Sequence, residues 1–156
     1  SGKSSIGSLV AKKLNLEFID IDNEIEKNSG ISIKEIFKSK GENYFRELEE
    51  KVTLKKLKLN STVISLGGGA FVNQQIRKEV LKKHISFWLN WSDQIILNRI
   101  RNSAKRPIAY KLSDDKLVEL IKNRSDLYSK ALYKIKCDNL SKKEIVKKVL
   151  RIYETY

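Results

Sequence analysis

The sequence predicts an α/β fold on a parallel sheet, and three observations carry that prediction. Short apolar runs of strand character alternate with amphipathic helical periods from one end of the chain to the other. Acids and glycines gather directly after two of those runs, Asp20 and Asp22 after the first and Gly67-Gly68-Gly69 after the second. Parallel sheets bind ligands beyond the carboxyl ends of their strands, so these residues fall on the functional edge. Gly2-Lys3-Ser4 opens a helical period, as the tail of a phosphate-holding loop does.

The elements follow in order. Lys3–Leu14 reads as a helix with Ile6, Leu9, Val10 and Leu14 on one face. Leu16–Asp20 reads as a short strand ending in acid. Asn23–Asn28 is a short helix closed by Gly30, and Ser32–Ser39 is another, with Ser32 and Glu35 in capping-box spacing. Glu42–Leu59 is a longer amphipathic helix. Thr62–Leu66 is a buried type of strand that ends at the glycine triplet. Gln74–Lys83 is helical, Ile85–Leu89 a strand and Asp93–Arg101 helical. Asn102–Ser113 breaks the pattern and carries the lone proline, Pro107, so it reads as a loop. Asp114–Tyr133 is a long helix, Lys134–Cys137 a short strand, and Ser141–Tyr153 a last helix capped by Ser141.

A chain of 156 residues suits one domain spanning 1–156. No stretch approaches the ~20 apolar residues of a membrane span. No secretory or transit segment is visible. One cysteine, Cys137, excludes an internal disulfide framework and suits a reducing compartment, and a single histidine makes a His/Cys zinc site implausible. The net charge of +13 calls for an anionic partner: nucleic acid, an acidic surface, or a phosphorylated or carboxylated small molecule. Most of the lysines fall on polar helix faces, where a solvated surface explains them.

Each motif has a chemical and a plain structural meaning. Lys3 and Ser4 fit phosphate and Mg²⁺ binding, although Gly-Lys-Ser alone is a short signal. Asp20 and Asp22, two apart on a strand, would share a face, one near a metal and the other receiving a proton; Asp22 could instead cap the next helix. Arg46 and Glu49 share a helix face, either as a surface ion pair or as a carboxylate-binding fork oriented by Glu49. The glycine triplet marks a tight turn or a close backbone approach to ligand. Arg99, Arg101 and Arg106-Pro107 flank an irregular basic segment that could close over a nucleotide or stay exposed. Arg124 and Tyr128, four apart, form an ordinary surface pair by default. His84 reads as structural, and Trp88 and Trp91 as core or interface aromatics.

Together these residues resemble shikimate kinase over nearly the whole chain. The resemblance rests on Gly2-Lys3-Ser4-Ser5, Asp20-Ile21-Asp22, Phe45-Arg46-x-x-Glu49, Gly67-Gly68-Gly69, Arg106-Pro107 and Arg124-x-x-x-Tyr128-x-x-x-Leu132 in order and spacing. It implies a three-layer α/β P-loop kinase fold of the nucleoside-monophosphate-kinase type with a five-stranded parallel sheet. It also implies ATP- and Mg²⁺-dependent phosphorylation of the shikimate 3-hydroxyl in aromatic amino-acid biosynthesis. The first strand and the first half of the phosphate loop are expected to precede Ser1.

Carried over by position, Gly2, Lys3, Ser4 and Ser5 end the ATP loop, with Ser4 and Asp20 at the metal. Asp22 is the substrate-contacting base. Arg46 and Arg124 clamp the shikimate carboxylate with Glu49 beside them, and the Gly67, Gly68 and Gly69 triplet gives a backbone contact to substrate. Arg106 is the lid arginine in a lid of about 102–113, substrate-binding helices span about 23–59, and Arg99 takes the adenine-stacking position. Leu132 departs from the family's usual small residue, and the adenine loop near Asp138–Lys142 lacks the usual arginine or proline. The resemblance implies a cytoplasmic monomer acting on a small molecule, without nucleic acid or membrane. Rival readings are another small-molecule kinase, a nucleic-acid-binding module and an inactive relative.

Overall fold

The computed structural model describes residues 1–102 and 112–156. Helix α1 (Lys3–Leu14) leads to strand β1 (Glu17–Asp20), and β1 runs directly into α2 (Ile21–Ser29). The end of β1 starts that helix: Asp20 Oδ1 accepts from the backbone N–H groups of Asp22 at 3.0 Å and Asn23 at 3.4 Å. Gly30 closes α2 in the left-handed conformation, as its sequence position predicts. The predicted capping box at Ser32 and Glu35 forms and opens α3 (Ile33–Lys56). The two helices predicted over 32–59 run as one element in which Gly41, at φ 82° and ψ 175°, breaks the helical path. Only a residue free of a Cβ takes that φ cheaply, so the break falls between the two predicted periods.

Strand β2 (Thr62–Ser65) follows, then the glycine turn, a single 3₁₀ turn (Ala70–Val72) and α4 (Gln74–Lys83). Strand β3 (Phe87–Asn90), α5 (Asp93–Arg101), α6 (Asp114–Tyr128), β4 (Tyr133–Lys136) and α7 (Lys142–Glu154) complete the described chain. The long helix predicted to Tyr133 stops at Tyr128, because Tyr133 is drawn into β4 opposite Phe87. Strands β1 and β2 pair in parallel from Glu17 with Thr62 to Asp20 with Ser65. Strands β3 and β4 pair in parallel from Phe87 with Tyr133 to Asn90 with Lys136.

The described residues thus hold four strands in two parallel pairs, and the five-stranded sheet implied by the resemblance is not seen as such. Residues of β2 and β3 together line a cavity of about 930 Å³. Its lining includes the apolar Val63, Phe87 and Leu89 together with the charged Lys3, Arg99 and Arg124.

The core follows the two strand pairs. Around β1, Ile19, Ile21, Ile25, Ile36, Phe45 and Val52 bury the contact of α2 with α3. Around β3 and β4, Ile6 and Val10 of α1 meet Trp91, Ile135 and Cys137, and Ile145, Val146 and Val149 of α7. Lys56 Nζ of α3 reaches Glu24 Oε2 of α2 at 2.6 Å and adds a tie between the two helices. No helix among the described residues is long and apolar enough to cross a membrane.

Candidate active site

The glycine turn after β2 organises the acceptor side of the site. A Cβ on Gly67 would lie 2.5 Å from Glu49 Oε1 and 3.0 Å from Asp22 Oδ1. A Cβ on Gly69 would overlap Arg46 Nη1. Gly69 has φ −111°, a conformation any residue adopts, so the requirement there is for space. Gly68 accepts a hydrogen bond through its carbonyl from the Tyr128 hydroxyl. Tyr128 lies one helical turn beyond Arg124 on α6, so the same short turn meets three elements: α2 through Asp22, α3 through Arg46 and Glu49, and α6 through Tyr128.

Arg46 is held by two carboxylates. Its Nη1 donates to Glu49 Oε2 at 2.7 Å, and its Nη2 reaches the exposed Glu42 Oε1 at 3.3 Å. Glu49 is buried. Burial pushes its carboxyl above the ordinary value, the neighbouring Arg46 pulls it back, Asp22 raises it further and Arg124 lowers it. Those influences place Asp22, Arg46, Glu49 and Arg124 in one electrostatic neighbourhood. The orienting pair expected between Arg46 and Glu49 is therefore present.

Asp20 and Asp22 differ from their expected arrangement. They do not share a strand face: Asp20 ends β1, while Asp22 lies in the first turn of α2. The cap of α2 is Asp20, not Asp22. Capping occupies Asp20 Oδ1 and leaves Asp22 turned toward the glycine turn.

The nucleotide side begins at Gly2, which takes φ 77° at the start of α1. No side chain caps α1, so the first-turn N–H groups of this 12-residue helix have no intrahelical partner. A phosphate fits such a terminus. Ser4 is exposed, with its hydroxyl 3.5 Å from that of Ser65 at the end of β2. Among the described residues no group of three or more His, Cys, Asp or Glu could hold a metal ion. The residues still suit Mg²⁺, which keeps waters and takes one or two protein oxygens together with substrate phosphates; Ser4 and Asp20 are the oxygen donors in place.

Arg99 is exposed and sits over the indole of Trp91, 3.8 Å from the ring centroid. Arg101 is tied to Asp114 Oδ1 and the Leu112 carbonyl, which makes it structural. Arg106 and most of the expected lid lie outside the described residues. Cys137 is fully buried, and burial raises its thiol to about 11, so no nucleophile is available there. Sequence reasoning missed Ser65, and it read Trp91 as a core or interface aromatic. Ser65 is visible in sequence merely as the small residue before Leu66 and the glycines.

A family model described as shikimate kinase matches residues 1–154. The chain belongs to the shikimate kinase family. It is 35% identical over 155 residues to shikimate kinase of Thermodesulfovibrio yellowstonii, covering 99% of this chain and 90% of that protein. It is 39% identical to shikimate kinase of Bacillus subtilis, covering 92% of this chain and 78% of that one. The crystal structure of shikimate kinase from Aquifex aeolicus superposes with a TM-score of 0.88 at 35% identity, covering 98% and 90% of the two chains. Shikimate kinase from Acinetobacter baumannii, solved in complex with shikimate, superposes with a TM-score of 0.91 at 29% identity, covering 99% and 87%. The α/β fold of these P-loop kinases is thus the fold of this chain.

Proposed function

We propose that this protein transfers the γ-phosphoryl group of ATP to the 3-hydroxyl of shikimate, giving shikimate 3-phosphate and ADP. The observation that carries the reading is the glycine turn packed between Asp22, Glu49 and Arg46 and bonded to the helix of Arg124. Two carboxylates, Asp22 and Glu49, and the Arg46 guanidinium crowd that turn, and Arg124 acts on Glu49 from α6. A carboxylic acid bearing hydroxyls suits such a set, because each guanidinium can bind a carboxylate as a planar fork.

The chemistry is mostly positioning and charge stabilisation. Arg46 and Arg124 hold the acceptor carboxylate, and Glu49 fixes the direction of Arg46. Asp22 accepts the proton of the attacking hydroxyl as its oxygen bonds to the γ-phosphorus and the bond from that phosphorus to the leaving oxygen of ADP breaks. Lys3 and the N–H groups of α1 hold the β- and γ-phosphates, with Arg106 added from the lid. Ser4 and Asp20 would hold Mg²⁺, which would supply charge neutralisation at the phosphates. Arg99 stacks on the adenine. The protein acts as a cytoplasmic monomer within one domain, with no nucleic-acid or membrane partner.

The test is ADP release by the full chain given Mg·ATP and shikimate, with quinate, gluconate and a nucleoside monophosphate as alternative acceptors. Turnover confined to shikimate is expected. Equal turnover with a nucleoside monophosphate, which has no carboxylate, would remove the carboxylate clamp; equal turnover with gluconate or quinate would remove the selectivity for shikimate; and none with any acceptor would remove the kinase reading.

A further inference from the structure

Trp91 joins three parts of the nucleotide side that are far apart in sequence. It directly follows β3 and is buried against Ile6, Val10, Cys137 and Ile145. Its ring carries the Arg99 guanidinium at 3.8 Å from the centroid, closer than the contacts of Lys40 with Tyr44, Arg46 with Phe45 and Lys134 with Trp88 at 4.6, 5.1 and 4.7 Å. Its indole N–H donates to the Ser1 carbonyl at 2.9 Å, immediately before Gly2-Lys3-Ser4. The next residue, Ser92, donates its backbone N–H to Asp138 Oδ1 at 2.7 Å, at the start of the loop that follows β4.

We propose that Trp91 is a positioning residue of the nucleotide site, whose indole holds Arg99 as a preset platform for the purine of ATP. The proposal rests on the reading that Arg99 stacks on the base. An exposed arginine samples many rotamers, and stacking on a base would cost that freedom. A buried ring beneath the guanidinium restricts it beforehand through cation–π attraction. Arg99 is exposed among the described residues, so its side away from the indole is open to a planar ligand. The hydrogen bond to Ser1 sets this platform against the start of the phosphate segment, and that of Ser92 sets it against Asp138. A tryptophan that only filled the core would need a partner for its buried indole N–H, but not the overlying cation.

The test compares Trp91→Leu, Trp91→Phe, Arg99→Ala and the Trp91→Leu/Arg99→Ala pair, reading KM for ATP and for shikimate separately. Trp91→Leu is expected to raise KM for ATP about threefold to tenfold, with KM for shikimate and kcat held within about twofold. Trp91→Phe, which keeps a ring face, should recover most of the loss, and the pair should match Arg99→Ala alone. Equal rises in both KM values for Trp91→Leu, or full additivity in the pair, would overturn the proposal. An unchanged KM for ATP in Arg99→Ala would overturn the stacking reading itself; a rise there with none in Trp91→Leu would overturn only the role of Trp91.

Should Trp91→Leu fail to fold, Trp88→Phe leaves Trp91 as the sole tryptophan of residues 1–156. Its emission is expected to shift on titration with ADP and to lose that response in Arg99→Ala. A titration without a shift would contradict the proposal.

Discussion

Around Gly67–Gly69 there is less room than one methyl group occupies, and the side chains that crowd the turn come from two different helices. At the start of α1 the opposite holds: Ser4 and Ser5 are exposed, no side chain caps the helix, and Arg99 stands out over a single ring. The acceptor side fixes a small ligand by packing carboxylate and guanidinium groups against backbone that lacks Cβ atoms. In the proposed reaction the start of α1 supplies N–H groups without intrahelical partners and Arg99 a flat cation, which serve any ligand with phosphates and a planar base. In the proposed reaction the crowded half selects the acceptor, and changes there should separate from ATP binding.

The largest effect that would break this contrast is expected at Asp22. Asp22→Asn should lower kcat at least ~100-fold, the usual scale for a lost acid–base group, with KM for ATP unchanged. Near-normal turnover by steady-state assay would take Asp22 out of the reaction. Arg46→Lys comes next. Lysine keeps the charge and loses the fork, so KM for shikimate should rise about tenfold or more against an unmoved KM for ATP. Parallel rises would show that the two halves are not independent.

Glu49→Gln gives the smallest effect and a pH signature. The Glu49 carboxyl lies above its ordinary value chiefly because it is buried. The folded state therefore holds the proton more tightly than the unfolded chain does. The stability this contributes is present at low pH and is lost as pH rises from the ordinary glutamate range through the raised value. Thermal melts of Glu49→Gln should lack that decline. In the parent, KM for shikimate should climb as pH falls through the raised value, because a protonated Glu49 no longer pairs with Arg46. The variant should begin about fivefold or less above the parent at neutral pH and vary less with pH.

Much of this was legible in the sequence because it is local. The Ser32 and Ser141 capping boxes, the Gly30 cap and the alternation of strand with helix each depend on residues a few positions apart. The glycine triplet was legible as a turn that approaches something closely. What it approaches was not, since Asp22, Glu49 and Tyr128 arrive from positions 45, 18 and 60 residues away from Gly67 or Gly68. Asp20 was misjudged for a different reason: β1 passes into α2 without a linker, so the last strand residue becomes the cap. Trp91 read as a core or interface aromatic and is buried in the core; its contacts to Arg99, eight residues on, and to the Ser1 carbonyl, 90 residues back, were not legible.

The measurement that bears most directly on the contrast is the kinetic split of Gly69→Ala. Its added methyl would overlap the end of the Arg46 side chain, which can swing away, so the protein should fold and melt near the parent. KM for shikimate should rise about tenfold or more, the worth of a displaced charge-assisted contact, while KM for ATP stays at the parent value. A folded Gly69→Ala enzyme with both constants unchanged would contradict the account, because Arg46 would then not need the space that the glycine leaves.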